Sequence, residues 1–409
     1  MNPRSRIADS LFGQPAPEDA HILEDFGNLA QKARPLSARQ QLGLGLEIKR
    51  LFHFLADERG TRRVDYLNNP ASLAAYIRSY HWWNLVRLIR LFSGPVGTAL
   101  IPAGGAEEIP CVDLGSGPFT VPIALWLSRP ELRRRPLVWY CVDRSKSALT
   151  AGEELFLAAA ARTVLVNGDG PAPWRIVRVP GDVGTKIRRK ARLVCAANVL
   201  NELIQARSSS CGREPQGQRY AALLSAYADP DAASVLVVEP GTPPSARLLS
   251  SLRSAFGDAG WQVSAPCPHS GPCPMDGRSA KWCNFAFSSR DAPRELRSVS
   301  KSAGLPKERV GLSFLLMHRT PSGAGLPGIP PGSPAASIPV RVTSDAIILP
   351  GGRTGFYGCS KLGLVVLECA AGEVASKGPQ PRLESGALVY VEGTSKGTDR
   401  KTGGIFVEF

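Results

Sequence analysis

Between residues 109 and 319 short apolar runs of β character alternate with helical segments, and this alternation restricts the chain more than any other feature. The runs are IPCVDLG, LVWYCVD, WRIVRVPGD, RLVCAANVL, SVLVVEPG, GWQVSAP and GLSFLLMHR. Seven strands with helices between the first six predict a parallel, doubly wound α/β sheet. The last run follows a long insertion and suits an antiparallel return strand. Residues 19–94 are of another kind: SARQQLGLGLEIKRLFHFLADERG and ASLAAYIRSYHWWNLVRLIRLFSG carry apolar residues at helical spacing, with Ser37 and Ser72 placed as caps.

Four regions follow from this texture. Residues 1–100 are a helical region and 101–320 an α/β domain with a cysteine-rich insertion. Residues 321–338 are Pro/Gly/Ser-rich and almost uncharged, the composition of a linker. Residues 339–409 hold short β runs separated by glycines (VRVTSDAIILPGG, LGLVVLECAAG, SGALVYVEG, GGIFVEF) and read as a small barrel or sandwich.

The chain of 409 residues has a formal charge of +14, an excess that suits a polyanionic partner. No run reaches the ~18 apolar residues that a bilayer span needs. The start, MNPRSRIADSLFGQPAPEDAH, has no apolar core of a signal peptide, so an intracellular protein is expected. In that setting nine cysteines point to metal or redox chemistry rather than a disulfide framework.

Four fragments converge on one crevice, because ligands of open α/β sheets bind beyond the carboxyl ends of the strands. In CVDLGSGPFT, Gly115 and Gly117 allow a tight turn and close approach of a ligand, and Asp113 stands where an amine or its water can be held. Asp143 ends the second strand, placed to accept both hydroxyls of a ribose. Asp182 and Val183 follow the third strand, where an acid and the next N–H can read an adenine edge. Asn198 and Glu202 follow the fourth. Glu202 and Glu239 are the acids available as a base, although such acids more often cap helices or form ion pairs. Cys195 lies inside a strand, packed rather than poised. No catalytic residue is assigned.

Cys267, Cys273 and Cys283 stand at C-x5-C-x9-C spacing in APCPHSGPCPMDGRSAKWCNF, a loop stiffened by prolines. Three thiolates leave a metal site one ligand short. His269, Cys359 and Cys369 are the candidates for the fourth. His269 is too near Cys267 for an unstrained shared site, and Cys369 falls in or after a strand. Cys359, in the glycine-rich turn GGRTGFYGCSKLG, is preferred and would tie the β domain to the α/β domain. Zinc and an iron–sulfur cluster both suit thiolates, and spacing does not choose between them.

The segments YIRSYHWWNLVRLIRLF, VDLGSGPFT, VVEPGTPPSARLL and CPHSGPCPM…KWCNF, followed by Cys359, occur in one order. Together they resemble the small-subunit ribosome-assembly family of methyltransferase-like proteins, the Rsm22 type, here as a bacterial member. The resemblance implies a class I methyltransferase core, Rossmann-like and seven-stranded, with a helical region before it and a small β domain after it. It implies S-adenosyl-L-methionine held by Asp113, Gly115, Gly117, Asp143, Asp182, Val183 and Asn198. It further implies a [4Fe-4S] cluster on Cys267, Cys273, Cys283 and Cys359, with zinc the alternative reading. The expected partner is small-subunit ribosomal RNA, with no membrane partner, for a monomeric cytoplasmic protein. One position departs from the usual first motif: Phe119 stands where a third glycine is common. The fourth-strand segment NVLNEL also lacks a loop suited to known base-methylating chemistry.

Two basic runs, GTKIRRKARL at 184–193 and LRRRP at 132–136, are expected at the sheet edge opposite the crevice as phosphate contacts or solvated faces. In SYHWWNLVRLIRLF the aromatic and arginine residues suit either RNA stacking or an amphipathic helix packed on the sheet. Its helical spacing favours packing.

Overall fold

The computed structural model describes residues 7–56, 66–101, 105–167, 172–206, 216–276, 281–319, 337–369, 383–392 and 397–408. Most of the predicted linker 321–338 lies outside the described residues.

A short strand, β1 (Ile7–Ser10), opens the chain. The helices α1 (Pro17–Glu24), α2 (Phe26–Ala33), α3 (Ala38–Ala56) and α4 (Pro70–Tyr76) come next. Ser37 caps α3 as expected, exchanging bonds with Gln40 in a capping box. The cap of α4 is Asn69 rather than Ser72: its side chain accepts the N–H groups of Ala71 and Ser72 at 2.9 and 3.1 Å. Pro70 at the first helical position needs no N–H partner. After α4 the helix widens into a π-helical turn over Ile77–His81, then continues as α5 (Trp82–Phe92), with α6 (Pro95–Leu100) beyond.

The α/β region comprises β2 (Ile109–Leu114), α7 (Thr120–Ser128), β3 (Leu137–Asp143), α8 (Lys146–Asn167) and β4 (Arg175–Pro180). It continues with β5 (Leu193–Ala197), α9 (Leu200–Ala206), α10 (Gln216–Ser225), β6 (Ala233–Glu239), α11 (Pro243–Asp258) and β7 (Gln262–Ala265). After the cysteine loop come β8 (Phe285–Ser288), α12 (Arg294–Ser302) and β9 (Arg309–Arg319). The sheet order is β4-β3-β2-β5-β6-β9-β7, with β8 paired to β9 outside that path. β2 to β6 are parallel, and β9 runs antiparallel to both β6 and β7.

One expectation fails. No helix joins β4 to β5. Residues 181–192 cross as an irregular strap, with Val183 and Ile187 packed against the core that holds Tyr140 and Tyr227. Tyr227 donates its hydroxyl to the Thr185 carbonyl at 2.9 Å. A parallel crossover needs about a dozen residues, and an extended strap of that length spans the gap without helix.

Helices α5, α7 and α8 cover one face of the sheet around Trp126, Trp139, Phe156 and Trp174, with the Trp126 and Trp174 rings edge to face at 4.9 Å. Helices α10 and α11 cover the other face.

The second sheet holds β10 (Ser337–Val342), β11 (Ile347–Ile348), β12 (Thr354–Ser360), β13 (Gly363–Cys369), β14 (Ala387–Glu392) and β15 (Ile405–Glu408). Its order is β1-β14-β10-β12-β13-β15, so the strand that opens the chain pairs on to its C-terminal sheet. Arg341 of β10 fastens this arrangement, donating to Asp9 Oδ1 at 2.7 Å, to the Gly386 carbonyl at 2.9 Å and to the Pro266 carbonyl at 3.2 Å.

Candidate functional site

Strand order reverses between β2 and β5, and the crevice outside their carboxyl ends is where this architecture takes ligands. The turn after β2 is built for close approach. Gly115 has φ +66°, and a Cβ there would meet the Val199 side chain at 2.4 Å. Phe119, at the position of the missing glycine, itself takes a left-handed conformation (φ 60°) and is fully buried. Its ring packs where a Cβ on Gly152 of α8 would sit, 2.6 Å away, so Gly152 supplies the close helix approach that the motif's third glycine usually gives.

Asp113 is 1% exposed, and neither carboxylate oxygen has a hydrogen-bond partner among the described residues. Burial, and then the charge of Asp143, pushes its carboxyl well above the usual range. An unpaired buried carboxylate is costly, so this one suits a cationic or donating ligand. Asp143 accepts the N–H of Gly117 at 2.9 Å and of Ser145 at 2.8 Å, which fix its orientation across the crevice. Burial still raises its carboxyl above the ordinary value. Asp182 is exposed and ion-paired with Arg144, and Val183 is half-buried in the strap beside it. Asn198 holds φ 59° at the end of β5, its N–H donated to the Val238 carbonyl at 2.7 Å. Such a conformation in a non-glycine residue is uncommon and clusters at functional sites. Glu239, wholly buried, accepts the Leu200 N–H at 2.9 Å, so it caps α9; its other oxygen has no partner among the described residues. Burial raises it to about 8. Cys195 is buried in β5, and burial drives its thiol far up, which makes it inert.

The cysteine loop sits over the carboxyl end of β6 and the amino-terminal half of the antiparallel β9. Ser313 donates to the Cys283 carbonyl at 2.7 Å, and Trp282 Nε1 donates to the Gly241 carbonyl at 3.2 Å. Cys359 is not in a turn; it lies within β12, buried, on the sheet face that packs with Met275, Cys273 and Cys283. Cys369 packs on the opposite face, with Val340, Phe356 and Val389. The thiols of Cys267, Cys273, Cys283 and Cys359 lie within electrostatic reach of one another, and burial raises those of Cys267, Cys283 and Cys359. His269 Nε2 lies 3.2 Å from Cys359 Sγ, a neighbour that spacing did not reveal. Arg253 holds the loop by donating to the His269 and Gly271 carbonyls at 3.0 and 2.7 Å. The four thiols gather without converging on a point: no three His, Cys, Asp or Glu side chains among the described residues form a group that could hold a metal ion.

The basic runs fare differently. Arg133 is buried in an ion pair with Asp19, and Arg135 is buried too, so Arg134 is the one exposed arginine of that run. In the strap, Lys186, Arg188, Arg189, Lys190 and Arg192 are all exposed. In α5 and the turn before it, His81, Trp82 and Trp83 are buried, and Arg78 is spent on the Ala30 and Arg34 carbonyls. Packing therefore dominates there, with Tyr80 and Arg87 left half-buried. No helix among the described residues is long and apolar enough to cross a membrane.

The sheet order, with one antiparallel strand set between the last two, defines a class I methyltransferase fold. The sequence model of the family described as mitochondrial small ribosomal subunit Rsm22 matches residues 111–329, over half of the chain, and the chain belongs to that family. No curated protein matches the sequence significantly. Similar solved structures include magnesium protoporphyrin IX methyltransferase from Synechocystis with bound S-adenosylmethionine. It is 14% identical, with 75% of this chain and 100% of that chain covered and a TM-score of 0.29. Another is an S-adenosylmethionine-dependent methyltransferase from Geobacter sulfurreducens in complex with S-adenosyl-L-homocysteine. It is 13% identical, with 66% and 97% covered and a TM-score of 0.30.

Proposed function

We propose that this chain binds S-adenosyl-L-methionine in the β2–β5 crevice and acts on small-subunit ribosomal RNA during ribosome assembly. One observation carries the reading: a buried carboxylate, Asp113, without a hydrogen-bond partner among the described residues, at the switch point of a chain whose family is named for the small ribosomal subunit. Asp113 is suited to the cofactor's ammonium group, and Asp143, oriented by two backbone N–H groups, to its ribose hydroxyls. Asp182, Val183 and Asn198 would flank the adenine and methionine ends. The cofactor, when bound, supplies an electrophilic methyl group. The chain's own residues would orient that group by holding the cofactor's ammonium and ribose, and no side chain here is assigned as a base.

In the same reading, Cys267, Cys273, Cys283 and Cys359 hold a [4Fe-4S] cluster. Four thiols within electrostatic reach of one another support this, with zinc the alternative occupant of the same ligands. The cluster's role is architectural, joining the second sheet to the crevice side of the first.

Calorimetric titration with S-adenosyl-L-homocysteine tests the cofactor site: Asp143→Ala should weaken binding at least tenfold, and equal affinity refutes the assignment. Transfer of labelled methyl groups to small-subunit RNA from cells lacking the protein separates an active methyltransferase from an assembly factor. Absence of transfer, with cofactor binding intact, favours the assembly factor.

A further inference from the structure

Two cations stand beyond the carboxyl ends of the parallel strands without an ion pair to any carboxylate among the described residues. β9 runs antiparallel to β6, with Ser313 level with Glu239, so the chain just before Arg309 lies beyond the carboxyl ends of the parallel strands. Lys307 sits there, half-buried, with Nζ 5.2 Å from the centre of the Trp83 ring and no hydrogen bond or ion pair among the described residues. Arg87 of α5 is its electrostatic neighbour. One Arg87 nitrogen donates to the Asn84 side chain, while its Nε is buried without a partner. Burial and the Arg87 charge lower Lys307 to about 7, and burial lowers Arg87 to about 10. Among the described residues, the phenols of Tyr76 and Tyr80 are the groups that favour the charged form of Arg87. A pair of cations kept together without a counter-ion is unfavourable unless an anion arrives.

A ladder of tyrosines leads away from this pair. Tyr76, Tyr80, Trp83 and Arg87 succeed one another at spacings of four, three and four, one stripe of the helix. The stripe passes through the π-helical turn Ile77–His81, a distortion found often at functional sites. The Tyr76 and Tyr80 rings lie nearly parallel, with centroids 5.9 Å apart, and Tyr66 meets Tyr76 at 6.3 Å. At the far end the phenols of Tyr66 and Tyr76 feel the charges of Glu202 and Asp143, the acids of the crevice. All three tyrosines are half-buried, and burial raises their phenols above the ordinary value. One side of the three rings packs on Ile48, Leu51, Ala75 and Ala303, which holds the tyrosines half-buried along one line with the two cations at its end.

We propose that Arg87 and Lys307 bind a backbone phosphate of single-stranded RNA, and that Tyr80, Tyr76 and Tyr66 form the stacking track that leads its nucleotide to the crevice. The proposal rests on the reading above that the chain acts on RNA. Phosphate neutralisation and sequence-tolerant stacking on aromatic rings are how single strands are held. A guanidinium and an ammonium placed together match a phosphodiester better than either does alone.

The test uses the full chain and a fluorescein-labelled single-stranded RNA decamer carrying one 2-aminopurine, titrated at several salt concentrations. Lys307→Gln should weaken binding about tenfold and reduce the salt slope by about one. Lys307→Arg should keep wild-type affinity within about twofold. Tyr80→Leu should abolish the stacking-induced quench of 2-aminopurine. S-adenosyl-L-homocysteine titration of each variant reports an intact fold. Unchanged affinity, slope and quench in these variants overturn the track while the RNA reading stands. A wild-type protein that binds S-adenosyl-L-homocysteine but no RNA overturns both.

Discussion

At the scale of single residues, the crevice is defined by carboxyl groups that burial has made reluctant to ionise. Glu239 allows the sharpest test, because its shift carries a value and its one bonded oxygen survives amidation. Its folded pKa, about 8, lies above the ordinary 4.5. Between those values the native state binds the proton more tightly than the unfolded chain does. Stability is therefore present in full at low pH and falls as pH rises through the window, by an amount on the order of a few kcal/mol. Without cofactor, the wild-type protein should lose thermal stability between about pH 5 and 8. Glu239→Gln should flatten that slope, since its amide oxygen can still accept the Leu200 N–H. Parallel melting-temperature profiles for the two proteins would remove Glu239 as the cause. Asp113 and Asp143 were legible in the sequence because a glycine turn and strand ends mark them locally. The absence of a hydrogen-bond partner for Asp113 among the described residues was not, since it depends on what the neighbouring elements fail to offer.

At the scale of elements, the Phe119–Gly152 contact shows how one departure from a motif is absorbed by another helix. The sequence exposes the departure but not its answer, because the compensating glycine sits in α8, beyond β3. A methyl group at Gly152 has no room: it would meet the Phe119 ring at 2.6 Å and the Pro118 backbone at 2.8 Å. Gly152→Ala should cost about 1–3 kcal/mol in urea unfolding. Adding Phe119→Gly, which removes both the ring and its left-handed strain, should cost less than the sum of the two changes made singly. Strict additivity would show that the two positions do not compete for one space. The strap between β4 and β5 teaches the converse lesson. Alternation of strand and helix predicted a helix there, but a twelve-residue connection satisfies the crossover in extended form, and Val183 and Ile187 give it enough apolar surface to dock. Local periodicity could not report this, because the choice is made by the sheet face that the strap covers.

Across the whole molecule, the strand content of both sheets was legible, while the closing of the chain on itself was not. IADS carries no strand signal of its own; it becomes β1 only because β14, nearly the length of the chain away, offers an open edge. The cysteines show the same division: the triad is visible at a glance, but only the sheet registers separate Cys359, facing Cys273 and Cys283, from Cys369 on the other side. Cys359→Ser should therefore lower iron and sulfide content after anaerobic purification, whereas Cys369→Ser should retain both; equal loading of the two variants would refute the assignment. The β1 clasp supports a prediction of its own. Asp9 anchors Arg341, Leu11 donates its N–H to the Gly386 carbonyl at 3.0 Å, and the Phe12 ring meets Phe287 at 4.8 Å. Deleting residues 2–10 leaves Leu11 and Phe12 in place but strips the ladder from β14 and leaves Arg341 without its carboxylate. An uncovered strand edge exchanges its amide hydrogens and invites association. The truncated protein should show faster amide exchange at residues 387–392, unchanged protection in β2 to β6, and a melting temperature lower by several degrees. Equal protection of β14 in both proteins would mean that the second sheet holds without its first strand, and that the chain's two ends meet by packing rather than by pairing.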